Sequence, residues 1–131
     1  MLKNKMNVKE IGIKGEYEFI RRLNLKGIPY IYADVWYDFE VLKEMIDVKT
    51  TLISHKFTNH KRKNQCYKIG RFTFTDEQLK NNIYYAFFVR YKEEFLFLGI
   101  GKLKNKIKHL SIHKVRELNL LTLDEFIDLK S

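Results

Sequence analysis

The chain has 131 residues, 25 of them Lys or Arg against 16 Asp or Glu, a formal net charge of +9. A length of 131 fits one domain, and a hydrophobic content of 45% with 15% aromatics excludes general disorder. The longest apolar run, Ile83 to Val89, falls well short of the roughly 20 residues of a membrane span, and the surplus of cations implies an anionic partner without distinguishing nucleic acid from an acidic membrane or protein surface. The first eight residues alternate Lys and Asn with short apolar side chains and lack the apolar core of a secretory signal. One cysteine, Cys66, can form no internal disulfide, so a cytoplasmic setting and no membrane partner are expected.

In chain order, Asn7 is a candidate cap for a helix running to about Leu25, which Gly27 and Pro29 would end. Tyr30 to Ala33 reads as a short strand. Trp36 to Val41 and Met45 to Leu52 read as a β-hairpin with Leu42, Lys43 and Glu44 at its tip. From Ile53 to Arg71 neither helical nor strand period is visible, which predicts a loop or short helix projecting from the sheet. Thr75 with Gln78 three residues later is a capping-box pattern for a helix through Asn81. Ile83 to Arg90 is a near-continuous apolar run, as expected of a strand covered on both faces, and Phe95 to Ile100 would be its partner. A second capping box, Thr122 with Glu125, predicts a terminal helix over Leu123 to Leu129. The expected class is α/β, one domain around a mixed sheet flanked by helices.

The charges are segregated. Val48 to Thr75 contains no acid but carries Lys49, Lys56, Lys61, Arg62, Lys63, Lys68 and Arg71, interleaved with Phe57, Asn59, His60, Asn64, Gln65 and Tyr67. Cations mixed with amides and aromatics suit contact with phosphates and bases. Phe95 to Arg116 is also acid-free, with six cations, and is equally readable as a solvated lysine surface.

Three acids stand where packing alone would not put them. Glu16 falls on the helix stripe of Ile13, Ile20 and Leu23, whereas Glu18 can pair with Arg22 on the solvent side. In the hairpin, period two sets Ile46 and Val48 on one face and Asp47 and Lys49 on the other, with Asp38 and Glu40 opposite Phe39 and Val41. A tight turn would bring Asp38 near Asp47 and Lys49. Two close carboxylates repel, and a hard divalent ion such as Mg²⁺ or Mn²⁺ relieves them. The plain alternative is a surface ladder of Asp47, Lys49, Glu40 and Lys43. His109 and His113, four apart, lack a third zinc ligand nearby, and no glycine-rich loop followed by Lys-Ser or Lys-Thr exists.

Taken together, the Lys14-Gly15-Glu16 helix segment, Tyr37-Asp38-Phe39, Ile46-Asp47-Val48-Lys49-Thr50-Thr51 and the later apolar strand, in that order, resemble the PD-(D/E)XK nuclease superfamily, the restriction-endonuclease-like fold. The pattern is similar to archaeal Holliday junction resolvases and small restriction or homing enzymes. The resemblance implies a restriction-endonuclease-like mixed sheet with an αβββαβ-type core, and metal-dependent hydrolysis of DNA phosphodiesters, structure-selective or sequence-specific. It further implies Mg²⁺ or Mn²⁺ held by Asp38, Asp47 and the Val48 carbonyl, with Glu16 binding through water or at a second ion, and Lys49 positioning the attacking water. Asp34 is a rival to Asp38 as first ligand, and Gln65 and Gln78 are candidates for a further polar role. Lys56, Lys61, Arg62, Lys63, Lys68 and Arg71 would hold DNA, and a homodimer is implied. A non-catalytic nucleic-acid-binding domain of the same fold is the alternative.

Overall fold

The structure, a computed structural model, describes residues 8–59 and 64–131. Helix α1 (Val8–Leu25) has Glu10 in its first turn and Arg22 in its last, each favoured by the helix dipole. The expected cap Asn7 lies outside the described residues. Its buried stripe is Ile11, Gly15, Phe19 and Leu23, at a spacing of four. The predicted stripe through Ile13 is therefore corrected, since Ile13 is 39% exposed. Gly15 is the reason. Without a side chain it lets the helix settle onto Thr50 of the sheet, where a Cβ would overlap the Thr50 hydroxyl, and this contact line rotates Ile13 outward. The helix ends in a Schellman motif: Gly27, at φ +67°, donates to the Asn24 carbonyl, and Ile28 donates to that of Leu23.

The chain continues through β1 (Ile31–Tyr32), β2 (Phe39–Val41), β3 (Glu44–Asn59), β4 (Asn64–Ile69), β5 (Arg71–Thr73), α2 (Asp76–Lys80), β6 (Tyr84–Tyr91), β7 (Glu94–Gly101), β8 (His109–Ser111), α3 (Ile112–Arg116) and α4 (Leu123–Lys130). The main sheet has the order β1-β2-β3-β6-β7, with β4 also paired to β3, and β5 and β8 form a small second sheet. All pairings in the main sheet are antiparallel except β3 with β6, which run parallel from Ile46↔Tyr84 to Ile53↔Tyr91. The fold is a mixed α/β domain. No helix among the described residues is long and apolar enough to cross a membrane.

Strand β6 is buried on both faces. Ala86 and Phe88 join Phe19, Leu23, Phe39, Ile46, Val48 and Phe126 beneath α1 and α4, while Tyr85, Phe87 and Val89 join Phe72, Phe74, Ile83 and Val115 on the opposite side. Edge-on ring contacts pin both layers, Phe19 to Phe88 at 6.4 Å and Phe72 to Phe87 at 5.1 Å. Both capping boxes form, at Thr75/Gln78 and Thr122/Glu125.

The hairpin joining β2 to β3 turns on Leu42 and Lys43, both at positive φ, and Glu44 already pairs with Val41. The larger correction concerns 53–71, read from the sequence as loop or short helix. Strand β3 instead runs on to Asn59 and returns as β4. Its pairing with β6 stops at Ile53, so beyond that point β4 is the strand paired with it among the described residues, and its sequence carries no apolar alternation. Strand β8 and helix α3 were also unforeseen. They place His109 and His113 on different elements, so the helical pairing considered for zinc does not form.

The Thr50 hydroxyl is buried without a hydrogen-bond partner beneath Gly15. Gly15→Ala is expected to lower stability by about 1–3 kcal/mol in urea unfolding, despite a helix-propensity gain of about 1 kcal/mol. Adding Thr50→Ala should recover most of that loss.

Candidate functional site

The β2–β3 register pairs Phe39 with Ile46 and Glu40 with Met45, so its continuation would set Asp38 opposite Asp47. The ladder does not continue regularly. The Asp38 N–H still donates to the Ile46 carbonyl at 3.3 Å, and beyond it the strands part. The Asp38 carboxylate enters the gap, its Oδ2 accepting the Val48 N–H at 2.8 Å. The N–H and C=O of one strand residue face the same edge, so the Val48 carbonyl also faces this gap.

Asp47 is 5% exposed, on the face opposite the core residues Ile46 and Val48. Lys49, two residues along, brings Nζ to 3.1 Å from Asp47 Oδ2 and lies 5.5 Å from the centre of the Phe74 ring. Register across the parallel pair sets Tyr85 beside Asp47 and Phe87 beside Lys49. The Asp47–Lys49 pair is thus desolvated on one side by aromatic rings, where a charge–charge contact is stronger than in water. The surface ladder considered for these residues is not what forms, because Glu40 accepts from the Tyr37 hydroxyl at 2.9 Å.

Electrostatics ties Glu16 and Asp38 to Asp47. Burial pushes the Asp38 carboxyl up to about 8, with Asp47 adding to the effect, the Val48 N–H opposing it, and Glu16 and a hydrogen bond to Asp47 raising it further. Burial likewise raises the Glu16 carboxyl, the Asp47 charge adds to this, a hydrogen bond from Tyr32 opposes it, and Asp34 contributes least. The Tyr32 hydroxyl is pushed up to about 12, chiefly by Glu16. Burial and then Asp47 raise the Tyr85 phenol. Asp38, Asp47 and Lys49 therefore lie at one fork in the sheet, and Glu16 stands within electrostatic reach of both acids. Two further residues, Tyr32 and Tyr85, were missed from the sequence. Tyr85 is readable only once the parallel register with β3 is known, and Tyr32 only once β1 is placed beside β2.

The other candidates separate. Asp34 is exposed in the loop after β1, at φ +48°, 3.4 Å from the Tyr32 hydroxyl, and stands at the rim rather than against Asp47. Gln78 is buried by a structural task, its Oε1 accepting from the Thr75 N–H and its Nε2 donating to the Trp36 carbonyl. Arg71 is exposed at the start of β5. Lys56 lies on β3, and Gln65, Cys66 and Lys68 on β4, their side chains outside what is described. Lys61, Arg62 and Lys63 lie outside the described residues.

Among the described residues no three His, Cys, Asp or Glu side chains form a ready-made metal cage. Two carboxylates and a main-chain carbonyl are instead the partial oxygen set that Mg²⁺ takes, completed by water and substrate phosphate. The desolvated Asp38 beside Asp47 fits such an ion, since a cation would offset the burial and the neighbouring charge that raise the Asp38 carboxyl. Comparison with family models, curated proteins and solved structures returns no match.

The sign of the pH dependence follows from Asp38. A carboxyl raised from its ordinary value near 4 to about 8 favours the folded state while protonated, so its contribution is complete below pH 4 and lost as pH rises to 8. At about 1.4 kcal/mol per pKa unit, metal-free protein should lose on the order of 5–6 kcal/mol across that window. Asp38→Asn should flatten the profile in urea unfolding between pH 5 and 9, and a profile as steep as wild type would contradict the assignment.

Proposed function

We propose that this chain is a metal-dependent endonuclease that hydrolyses DNA phosphodiesters, of the restriction-endonuclease-like PD-(D/E)XK kind. The observation that carries the reading is the gathering of Asp38, Asp47 and Lys49 at the β2–β3 fork, with Glu16 within electrostatic reach of both acids. Asp38, Asp47 and Lys49 come from one hairpin, and Glu16 comes from a helix more than twenty residues earlier. Their convergence is what a phosphodiesterase site requires, and core packing does not call for it, since each buried carboxylate costs desolvation energy.

On this reading Asp38, Asp47 and the Val48 carbonyl hold Mg²⁺ or Mn²⁺, and Glu16, half-buried at the edge, acts through water or at a second ion. When bound, the metal supplies Lewis-acid polarisation of the phosphate and a lowered water pKa. The chain's own residues do the rest. Lys49 places an ammonium beside the carboxylates, where it can orient the attacking water and offset charge building on the phosphate. Phe74 and Tyr85 keep bulk water from one side of Asp47 and Lys49. The Tyr32 hydroxyl stands beside Glu16 and Asp34 at the edge of the fork. Exposed Arg71, together with the cations between Val48 and Thr75, would hold the phosphate backbone. DNA is the proposed partner, junction or linear duplex, and a homodimer and a cytoplasmic setting belong to the same proposal.

A second reading, a non-catalytic nucleic-acid-binding domain of this architecture, is favoured by the 3.1 Å Lys49–Asp47 ion pair, which compensates one acid without any metal. Incubation of supercoiled plasmid and of a four-way junction with Mg²⁺ separates the two. Wild type should cut at least one substrate, Asp47→Ala neither, and Lys49→Ala should be slower by about 10²-fold or more while still binding metal. Binding without cutting by wild type and Asp47→Ala alike would select the second reading.

A further inference from the structure

We propose that the cavity between the C-terminal end of α2 and the 102–106 loop is a phosphate-ester site, serving a nucleic-acid strand that also reaches the carboxylate fork. It rests on the reading above only for the identity of that strand. The cavity has a volume of about 320 Å³, and no acid is among the residues that line it. Lys80, Lys104 and Lys106 line it together with Asn81, Asn105 and Tyr85, and one Asn81 amide hydrogen is already given to the Glu77 carbonyl at 2.8 Å.

The cations are weakly engaged. Lys80 stands 4.0 Å from Glu77, at the limit of an ion pair, and Lys104 reaches only the neutral Glu117 carbonyl at 3.5 Å. Three like charges around one hollow repel, and an anion between them removes that repulsion while taking several donors at once. A backbone phosphate carries one negative charge and offers several acceptor oxygens, so more than one phosphate of a strand can be neutralised here, and the oxygens can also accept from the asparagine amides. The volume leaves room for an attached sugar.

Position gives the site its meaning. Tyr85 is the register partner of Asp47, and neighbouring strands lie only about 5 Å apart, so one tyrosine separates the cavity from the carboxylate fork. A strand with one phosphate at the fork would carry others toward this hollow. The acid-free run Phe95 to Arg116, readable from sequence as plain solvated surface, thereby gains a specific use at Lys104 and Lys106.

The test measures binding of a 20-base-pair duplex by fluorescence anisotropy in the Asp47→Asn protein without divalent metal, so that cleavage plays no part. Lys104→Glu/Lys106→Glu should weaken binding about 5- to 10-fold at moderate salt and lower the salt slope by about 0.9 for each phosphate no longer neutralised. In parallel, inorganic phosphate and adenosine monophosphate are titrated into the ¹⁵N-labelled folded protein while the Asn81 and Asn105 amides are followed. Saturable shifts with weakened duplex binding support the strand as the source. Shifts with the mononucleotide but unchanged duplex binding also support a phosphate site, one for free nucleotides. Duplex binding unchanged and no amide shift with any phosphate compound overturns the proposal. Weakened binding by a protein that never cuts DNA would leave the pocket standing and remove the nuclease reading. Cleavage by wild type with unchanged binding by the lysine variant and no shifts would do the reverse.

Discussion

Strand β3 must serve two solvents at once, and the rest of the molecule is arranged around that demand. Ile46 and Val48 face the apolar layer under α1, while the alternate residues Asp47 and Lys49 face away from it. A slip of one residue would exchange the two sets and put Asp47 and Lys49 into the apolar layer under α1, without the ion-pairing and aromatic surroundings they have now. The parallel pairing with β6 prevents this, because β6 is apolar on both faces and is itself locked by Phe87 against Phe72 and Phe88 against Phe19. The turn at Leu42 and Lys43 fixes β2 against the other edge. Register, rather than any single contact, is what brings Asp38 to Asp47.

The fork is then a balance of charge. With Asp38 protonated and Lys49 paired with Asp47, little net charge is buried; with Asp38 ionised, two carboxylates face one ammonium and Glu16 adds its field. Proton and divalent cation are in this sense competitors for one place. Ionised in the absence of a cation, the pair would cost the fold stability. Metal-ion binding would convert that cost into affinity, which is a physical reason for a chain to retain acids at such a position.

Local signals were legible in the sequence, and long-range ones were legible only where they ran through a local one. Both capping boxes could be read because hydroxyl, amide and main chain lie within one turn. The hairpin, and with it the approach of Asp38 to Asp47, could be read because turn length sets register. The rotation of α1 could not. It depends on Gly15 meeting Thr50, a contact between residues 35 apart in the chain. The extension of β3 and β4 beyond the sheet was hidden because a strand is read from apolar alternation, and past Ile53, where the pairing with β6 ends, β3 carries none. Gln78 was a candidate for a further polar role through the resemblance alone, yet it is consumed by the α2 cap and the Trp36 carbonyl.

The contrast between a chain of +9 and a fork of acids also has an electrostatic logic. Carboxylates alone would repel a polyanion, and surface lysines alone would bind it without placing any one phosphate. On the proposed reading, cations around an acidic fork would do both things: they would supply long-range attraction, while the fork would admit a phosphate only together with a cation that cancels its own charge. Occupancy of the fork by nucleic acid and by metal would then be linked, each raising the affinity for the other, because each neutralises what the other meets on arrival. That linkage requires the acids to be close enough to repel one another, and the geometry at Asp38 and Asp47 meets this requirement.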